Sequence, residues 1–188
     1  MKKRAVGRPL SFDVDQALDA AMHVFWRQGY EGASLEDLTA AMGINRPSLY
    51  AAFGDKKALF AKALDRYANG PAAYVGQALA EPVARTAMEK LLRGAVELMT
   101  RPGNPPGCLM MRAAPESRPV KHEIALRRRL ERARNEEDWP LGASPAGLAR
   151  YFTIVLRGLA VEATGGASRR NLLQAVETAM RVWPVATR

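Results

Sequence analysis

The chain has 188 residues, of which 48% are hydrophobic and 25% are charged, and its formal net charge is +9. This composition is ordinary for a soluble globular protein, and the length is sufficient to bury a sizeable core in one large or two small domains. No apolar run approaches a membrane span, no signal peptide is evident, and the single cysteine, Cys108, excludes an internal disulfide framework. We therefore expect a cytoplasmic protein with no membrane partner.

The positive charge is distributed unevenly along the chain. Residues 1–12 contain four basic residues and no acidic one, whereas residues 13–67 contain six basic and eight acidic residues. Residues 68–188 contain eighteen basic and eleven acidic residues. The overall charge favours a polyanionic partner. Because the segment 13–67 is itself slightly acidic, a nucleic-acid-binding hypothesis must rest on motif geometry and on the basic N-terminal arm.

Helical periodicity recurs along the chain, and no stretch shows the sustained alternation that is typical of strands. The first helix is predicted over about 14–28, because apolar residues from Val14 to Trp26 recur on one helix face. Asp13 and Gln16 resemble a capping box at its start, and Gly29 ends it. The pattern predicts an all-α protein.

Three shorter helices follow. Ser34 and Asp37 begin the second helix, and Gly43 closes it. Asn45 caps the third helix, which carries a proline in its first turn, and Asp55 caps the fourth. The first four helices account for residues 13–67.

The helical pattern continues after residue 70. Helices are predicted near 72–80 and 83–100, then from Cys108, over about 120–137, from Ser144 to about 164, and from Ser168 to Pro184. The helix over 120–137 is strongly charged. We expect a thin apolar stripe at Ile124, Leu126, Leu130 and Ala133, and a solvated basic face at Arg127, Arg128, Arg129, Arg132 and Arg134.

The second and third helices form a helix-turn-helix pattern, joined by residues 42–45. If packing holds the third helix, its first turn is free to enter a major groove, which admits one helix. Arg46 can then donate two hydrogen bonds to a guanine edge, and Ser48 and Tyr50 can reach a phosphate or a thymine methyl group. Lys56 lies where a phosphate would pass. The alternative is a helical corner without a DNA-binding role.

Several spaced motifs occur in one order over residues 13–67: Ala17-Leu18, Ala21-Met22, Phe25-Trp26, GYEGASLEDL at 29–38, MGI at 42–44, SLY at 48–50, FGDK at 53–56 and Leu59. In these motifs the segment resembles the DNA-binding domain of the TetR family of transcriptional regulators. The resemblance implies a recognition helix at about 46–53, with base-edge contacts from Arg46 and Pro47. It also implies phosphate contacts from Ser34, Ser48, Tyr50 and Lys56.

The resemblance further implies what the protein does. It points to a homodimeric, sequence-specific repressor that binds a palindromic double-stranded DNA operator and is released by a small ligand. A transcriptional activator is one alternative, and a thiol-sensing or redox-sensing regulator that acts through Cys108 is another.

The basic arm at 1–12 is a further candidate DNA contact. Its Gly7-Arg8-Pro9 segment looks like a hook that places Arg8 in the minor groove, because a narrow groove over A·T-rich DNA attracts arginine. A basic tail that adds only salt-dependent affinity is the alternative.

Residues 72–188 resemble, more loosely, the helical C-terminal domain of the same family, which implies a ligand-binding and dimerisation domain over 68–188. The last two helices would then form a two-fold four-helix interface. The helix from Ser144 is apolar on more than one side, with Ile154 and Val161 away from its main stripe, so it must be buried on two sides. A central helix of a monomeric bundle is the alternative. The candidate interface residues are Val155, Leu159, Leu172, Val176 and Met180.

The candidate ligand pocket is lined by apolar, aromatic and sulfur-containing side chains, which suits a small hydrophobic effector. These residues are Tyr74, Met99, Cys108, Met111, Tyr151 and Phe152. Cys108 itself is interpreted mainly as a packing residue. Its alternatives are a thiol sensor activated by Arg112 and a Cu(I) ligand together with Met110 and Met111.

No catalytic set, metal-ligand spacing or cofactor motif is evident in the sequence, which contains only two histidines, His23 and His122. We therefore expect neither enzymatic activity nor a cofactor nor a resident metal.

Overall fold

The computed structural model describes residues 12–112, 120–133, 139 and 142–183. Within these residues the chain forms ten α-helices and no β-strand, which confirms the all-α prediction. The helices are α1 (Val14–Gly32), α2 (Leu35–Met42), α3 (Arg46–Phe53), α4 (Lys56–Asn69), α5 (Tyr74–Leu79), α6 (Ala84–Thr100), α7 (Leu109–Arg112), α8 (Val120–Ala133), α9 (Pro145–Thr164) and α10 (Arg169–Met180). None of these described helices is long and apolar enough to cross a membrane. The chain divides into two compact units between Arg66 and Tyr67.

The helices of the first unit begin at the caps that the sequence contains. The Asp13 carboxylate accepts a hydrogen bond from the Gln16 backbone N–H at 3.1 Å. Ser34 and Asp37 form a complete capping box at α2, as predicted. The regular part of α1 ends at Gly29, whose φ of 74° and ψ of 179° break the helical geometry. Residues other than glycine rarely adopt such a positive φ.

The core of the first unit forms between α1 and the three helices that follow it. The Phe25 and Phe60 rings meet edge to face with centroids 4.9 Å apart. An ion pair at the surface joins α4 to α1, because Arg66 reaches Asp19 at 2.7 Å and Asp15 at 2.8 Å. Hydrogen bonding to Asp19 raises the pKa of the Arg66 guanidinium. The buried apolar side chains include Met22, Trp26, Leu38, Met42, Leu49, Phe53 and Leu59. This burial stabilises α2 and α3, which are too short to be stable alone.

The core of the second unit surrounds α6, which contacts α5, α8, α9 and α10. Its buried face carries Met88, Leu92 and Val96. Aromatic rings close one side of this core, since Trp183 packs against Phe152 with centroids 6.3 Å apart and against Trp139 at 5.7 Å. The helices predicted over 83–100, from Ser144 and from Ser168 therefore share one interior.

Two predictions about α8 are wrong. Arg129 was expected on a solvated basic face, but it is 4% exposed and donates hydrogen bonds to the backbone oxygens of Glu81 at 2.9 Å and Pro82 at 2.8 Å. Ile124 was expected on the apolar stripe, but its side chain is exposed. The remaining stripe residues are buried, and Arg127, Arg128 and Arg132 are exposed. The predicted end of this helix and Arg134 lie outside the described residues.

Replacing Arg129 with methionine is expected to destabilise the protein by about 1.5–3 kcal/mol, because charge-assisted hydrogen bonds are lost while the aliphatic stem is kept. Arg128→Met at the exposed neighbouring position is the control and should stay within about 0.5 kcal/mol of the wild type. Urea unfolding of the full chain measures both. If the Arg129→Met and Arg128→Met variants were equally stable, the hydrogen bonds of Arg129 to residues 81 and 82 would not contribute to stability.

Candidate nucleic-acid interface

The turn between α2 and α3 is built from local hydrogen bonds. Gly43 has a φ of 65° and a ψ of 28°, in the left-handed region that glycine tolerates best. Its N–H donates to the Ala40 oxygen at 3.3 Å, and the Ile44 N–H donates to the Thr39 oxygen at 3.1 Å. The turn thus satisfies two carbonyl groups in the last turn of α2 and fixes the direction in which α3 leaves.

The N-terminus of α3 is capped as the sequence indicates. The Asn45 side-chain oxygen accepts a hydrogen bond from the Ser48 backbone N–H at 2.9 Å. Pro47 occupies the first turn, where a backbone N–H would have no helical partner. A short helix therefore begins with a defined geometry directly after the turn.

The two faces of α3 have different surroundings. Leu49 and Phe53 are buried at 0% and 3% exposure and anchor the helix to the core of the unit. Arg46 and Pro47 are exposed, and Tyr50 is 48% exposed. Ser48 is half-buried. The helix thus presents an arginine, a proline and a tyrosine to solvent from a rigid support.

The N-terminus of α2 is closed by its capping box. The Ser34 hydroxyl accepts from the Asp37 N–H at 2.9 Å and donates to the Asp37 carboxylate at 2.7 Å. The Ser34 bonds lower the pKa of Asp37. Because the only hydroxyl proton of Ser34 is directed to Asp37, a phosphate contact from this side chain requires that bond to open. The backbone N–H groups of the first helical turn are the other donors at this end.

Lys56 lies at the start of α4 with its ammonium over an aromatic ring. Its Nζ atom is 4.6 Å from the centroid of the Tyr30 ring. The neighbouring Asp55 carboxylate accepts from the Ala58 N–H at 2.7 Å and so caps α4, as predicted. Sequence reasoning missed Tyr30, whose only signal was its position directly after the helix-ending Gly29. Arg8 and the rest of the predicted arm lie outside the described residues.

The predicted pocket residues all belong to the hydrophobic core of the second unit or pack against it. Met99 and Phe152 are buried, whereas Tyr74, Cys108, Met111 and Tyr151 are partly buried. Burial and the proximity of Cys108 raise the pKa of the Tyr74 phenol. The Tyr151 hydroxyl donates to the Ala179 backbone oxygen at 3.2 Å, so this side chain is turned towards α10.

Tyr67 was not among the predicted pocket residues. Its hydroxyl donates a hydrogen bond to the Cys108 sulfur at 3.5 Å, and burial strongly raises its pKa. The Tyr74 ring packs directly against Gly94, since a Cβ atom added to this glycine would lie 2.4 Å from the ring. Tyr67 and Tyr74 are thus aromatic neighbours of Cys108.

Most of the residues predicted to form the dimer interface are buried in the core of the single chain. Leu159, Leu172, Val176 and Met180 are 0–6% exposed and belong to the core, because their helix faces turn inwards. Val155 is half-buried. The large apolar side chains of α9 that remain exposed are Ile154 at 59% and Val161 at 69%. The sequence periodicity predicted the apolar stripe of these two helices. It did not predict which apolar side chains of α9 remain exposed to solvent.

A surface groove of about 660 Å³ runs between α9 and α10. Tyr151, Val155 and Gly158 line it from α9, and Ala175 and Thr178 line it from α10. Among the described residues, no group of three or more His, Cys, Asp or Glu side chains is arranged to hold a metal ion.

Comparisons with known proteins agree with the helix-turn-helix geometry. The family model described as bacterial regulatory proteins of the tetR family matches residues 17–63. The HTH-type transcriptional repressor ComR of Escherichia coli (strain K12) is 32% identical, over 97% of this chain and 94% of its own. The repressor BdcR of the same organism is 33% identical, over 66% of this chain and 64% of its own.

Solved structures give the same assignment over the whole fold. A cysteine mutant of the TetR family transcriptional regulator CifR, complexed with 26-base-pair double-strand operator DNA, is 41% identical with a TM-score of 0.84. The alignment covers 94% of this chain and 100% of the CifR chain. The motifs, the all-α fold and the full-length relatives therefore agree, and the chain belongs to the TetR family of bacterial regulatory proteins.

Proposed function

We propose that this transcriptional regulator is a repressor that reads a two-fold DNA operator with α3 and releases it when a small hydrophobic effector binds. The observation that carries the proposal is the geometry of α3. Leu49 and Phe53 anchor it, while Arg46, Pro47 and Tyr50 face solvent. A rigidly supported helix with exposed polar side chains in its first turns is what a major groove accepts.

Each exposed side chain has a role in this proposal. Arg46 reads a guanine edge through its paired donors, and Pro47 packs on a neighbouring base. Ser48, Tyr50 and Lys56 contact phosphates and fix the register of α3, with Ser34 or the first amides of α2 as further phosphate donors. Arg8 is predicted to enter the minor groove. Residues 13–67 would form the DNA-binding domain, with 1–12 as its arm.

The similar proteins support repression and operator binding. ComR and BdcR are named as repressors, and the CifR mutant was solved with operator DNA. An activator would use the same interface, so a reporter gene placed behind the bound site separates the two. Expression that rises when the regulator is deleted indicates repression, whereas expression that falls indicates activation.

Residues 68–188 would bind the effector and form the dimer. The groove between α9 and α10, together with the exposed Ile154 and Val161, provides an apolar surface that a second copy can cover. Gly158 supports this interpretation, since nothing lies within 4 Å of where its Cβ would be and a partner helix can approach closely. Two-fold proteins of this class bind half-sites that mirror their own symmetry.

The effector proposal rests on the character of the side chains around Cys108. Tyr67, Tyr74 and Met111 are aromatic or sulfur-containing neighbours in one apolar region, and methionine adapts to ligands of different shape. The effector can shift the protein between states only if it binds them with different affinities. Release would follow if the effector-bound state holds the two copies of α3 at a spacing that no longer matches the half-sites.

The experiment that tests DNA recognition is selection from a pool of randomised duplexes, followed by competition. The proposal predicts enrichment of a two-fold sequence that outcompetes scrambled DNA by at least about a thousand-fold at physiological salt. A pool that is bound without enrichment would contradict sequence-specific binding and leave only electrostatic affinity.

Replacing Cys108 with serine is expected to leave effector-induced release of DNA largely intact, because we interpret Cys108 as a packing residue beside Tyr67. Release is measured by fluorescence anisotropy of a labelled duplex as lipophilic compounds selected by thermal shift are titrated. The control titrates thiol-reactive electrophiles into the wild type and the variant. A response to electrophiles that disappears in Cys108→Ser would favour the thiol-sensing alternative. A chelator should change neither folding nor DNA affinity.

A further inference from the structure

We propose that Tyr30 is a positioning residue for DNA binding, whose ring holds the Lys56 ammonium in place for a backbone phosphate. The inference rests on the DNA-binding function proposed above and adds a residue to it. Tyr30 would not need to touch DNA. It would act through Lys56, at the point where α4 begins.

The ring of Tyr30 is itself held by aromatic packing. Its centroid lies 5.0 Å from that of Phe60 and 6.4 Å from that of Phe25, and both phenylalanines are buried. The ring therefore has a fixed orientation, and its quadrupole offers a fixed site for a cation. The Lys56 Nζ atom, 4.6 Å from the ring centroid, is within the range of this interaction.

The backbone break at Gly29 places Tyr30 where it is. With a φ of 74° and a ψ of 179°, this residue interrupts the helical run, and the Ala33 N–H donates to the Gly29 oxygen at 3.3 Å. Tyr30 comes directly after the break, so its direction is not dictated by the stripe of α1. A residue with a side chain would be strained at this φ.

Lys56 remains able to bind a phosphate while it rests on the ring. An ammonium group has three N–H donors, and a ring face satisfies it only on one side. Within the part of the chain that the structure describes, Lys56 forms no ion pair with a carboxylate, and the adjacent Asp55 caps α4. Holding this long side chain in one place before DNA arrives reduces the rotamer entropy that it would otherwise lose on binding.

Two other lysines provide comparisons on the same unit. Lys57, the next residue of α4, is exposed. Lys62 lies over the Phe53 ring at the longer distance of 5.7 Å. A general effect of removing charge should appear at Lys57 as well, whereas an effect that depends on the Tyr30 ring should appear only at Lys56.

The test is a double-mutant cycle on DNA affinity with the full chain and the duplex selected above. Tyr30→Leu should weaken binding roughly two- to five-fold, the range that corresponds to an exposed cation–π pair. Tyr30→Phe, which keeps the ring face, should bind like the wild type. In the Lys56→Met background, Tyr30→Leu should have no further effect, whereas in the Lys57→Met background it should keep its full effect. Lys56→Met should also reduce the slope of log affinity against log salt by about one.

An equal loss from Tyr30→Leu in both lysine backgrounds would overturn the inference, because Tyr30 would then act only through general packing. A wild type that binds duplexes without sequence preference would instead overturn the proposed function. A measurement without DNA covers the case in which Tyr30→Leu fails to fold. In the wild type, NMR should show the Lys56 ε-methylene protons shifted upfield of those of Lys57 by the ring current. Indistinguishable shifts would overturn the proposal.

Discussion

Replacing Arg46 with alanine is expected to weaken binding to the selected operator by about 1–3 kcal/mol and to relax base preference at one position of each half-site. The physical reason is that Arg46, exposed in the first turn of α3, carries two parallel donors that match the acceptors of a guanine edge. Affinity for scrambled DNA should fall much less. Anisotropy titrations on operator variants that differ at single base pairs measure both effects.

Lys56→Ala is the matched contrast, because a phosphate contact carries no sequence information. It should weaken operator and scrambled DNA by the same factor. If Arg46→Ala also lowered both affinities equally, Arg46 would be a phosphate contact and the assignment of a base-reading role to it would be wrong.

Introducing an aspartate at Ile154 is expected to convert the protein to a monomer and to abolish operator binding at concentrations where the wild type saturates. Ile154 is 59% exposed and lies on the same face of α9 as Val161, so the substitution should not disturb the core of the single chain. At the proposed interface it would bury an unpaired charge, which is strongly unfavourable. Sedimentation velocity and anisotropy give the two results.

Ile124→Asp provides the control, since it makes the same change at a 41% exposed isoleucine of α8. This variant should remain a dimer with normal DNA affinity. Val176→Asp is a poor test of assembly, because Val176 is 0% exposed in the core and a charge there would unfold the chain. A wild type that is monomeric at micromolar concentration, or a dimeric Ile154→Asp, would contradict the proposed interface.

Local features of this fold could be predicted from the sequence because they are determined within a few residues. Asn45 caps α3 by bonding to Ser48, and Ser34 bonds to Asp37, in each case across three positions. The turn at Gly43 follows from the conformational freedom of glycine. These short-range signals were sufficient to locate the α2–turn–α3 unit and the side chains that it exposes.

Features that depend on distant partners could not be predicted in the same way. Arg129 lies in a run of arginines that indicates a solvated face, and the backbone oxygens that bury it belong to residues 81 and 82. Similarly, the apolar pattern of α9 indicates burial on two sides but does not say which residues the chain's own core covers. Leu159 is in that core, whereas Ile154 is not.

The contact between Tyr30 and Lys56 illustrates the same limit inside the predicted site. The two residues are on different helices, and the break at Gly29 decides the direction of the ring. Helical periodicity predicts the facing of a residue only within a regular helix, and Tyr30 follows the break. No sequence signal therefore connected this tyrosine to Lys56.

In the proposed complex, two copies of α3 read two half-sites on one face of the duplex. The most direct test compares the affinity of the protein for the selected operator with its affinity for the same operator carrying an insertion of half a helical turn, about 5 base pairs, between the half-sites. The insertion should reduce the affinity to that for a single half-site, because the second α3 would face the opposite side of the DNA. An affinity unchanged by the insertion would contradict this arrangement.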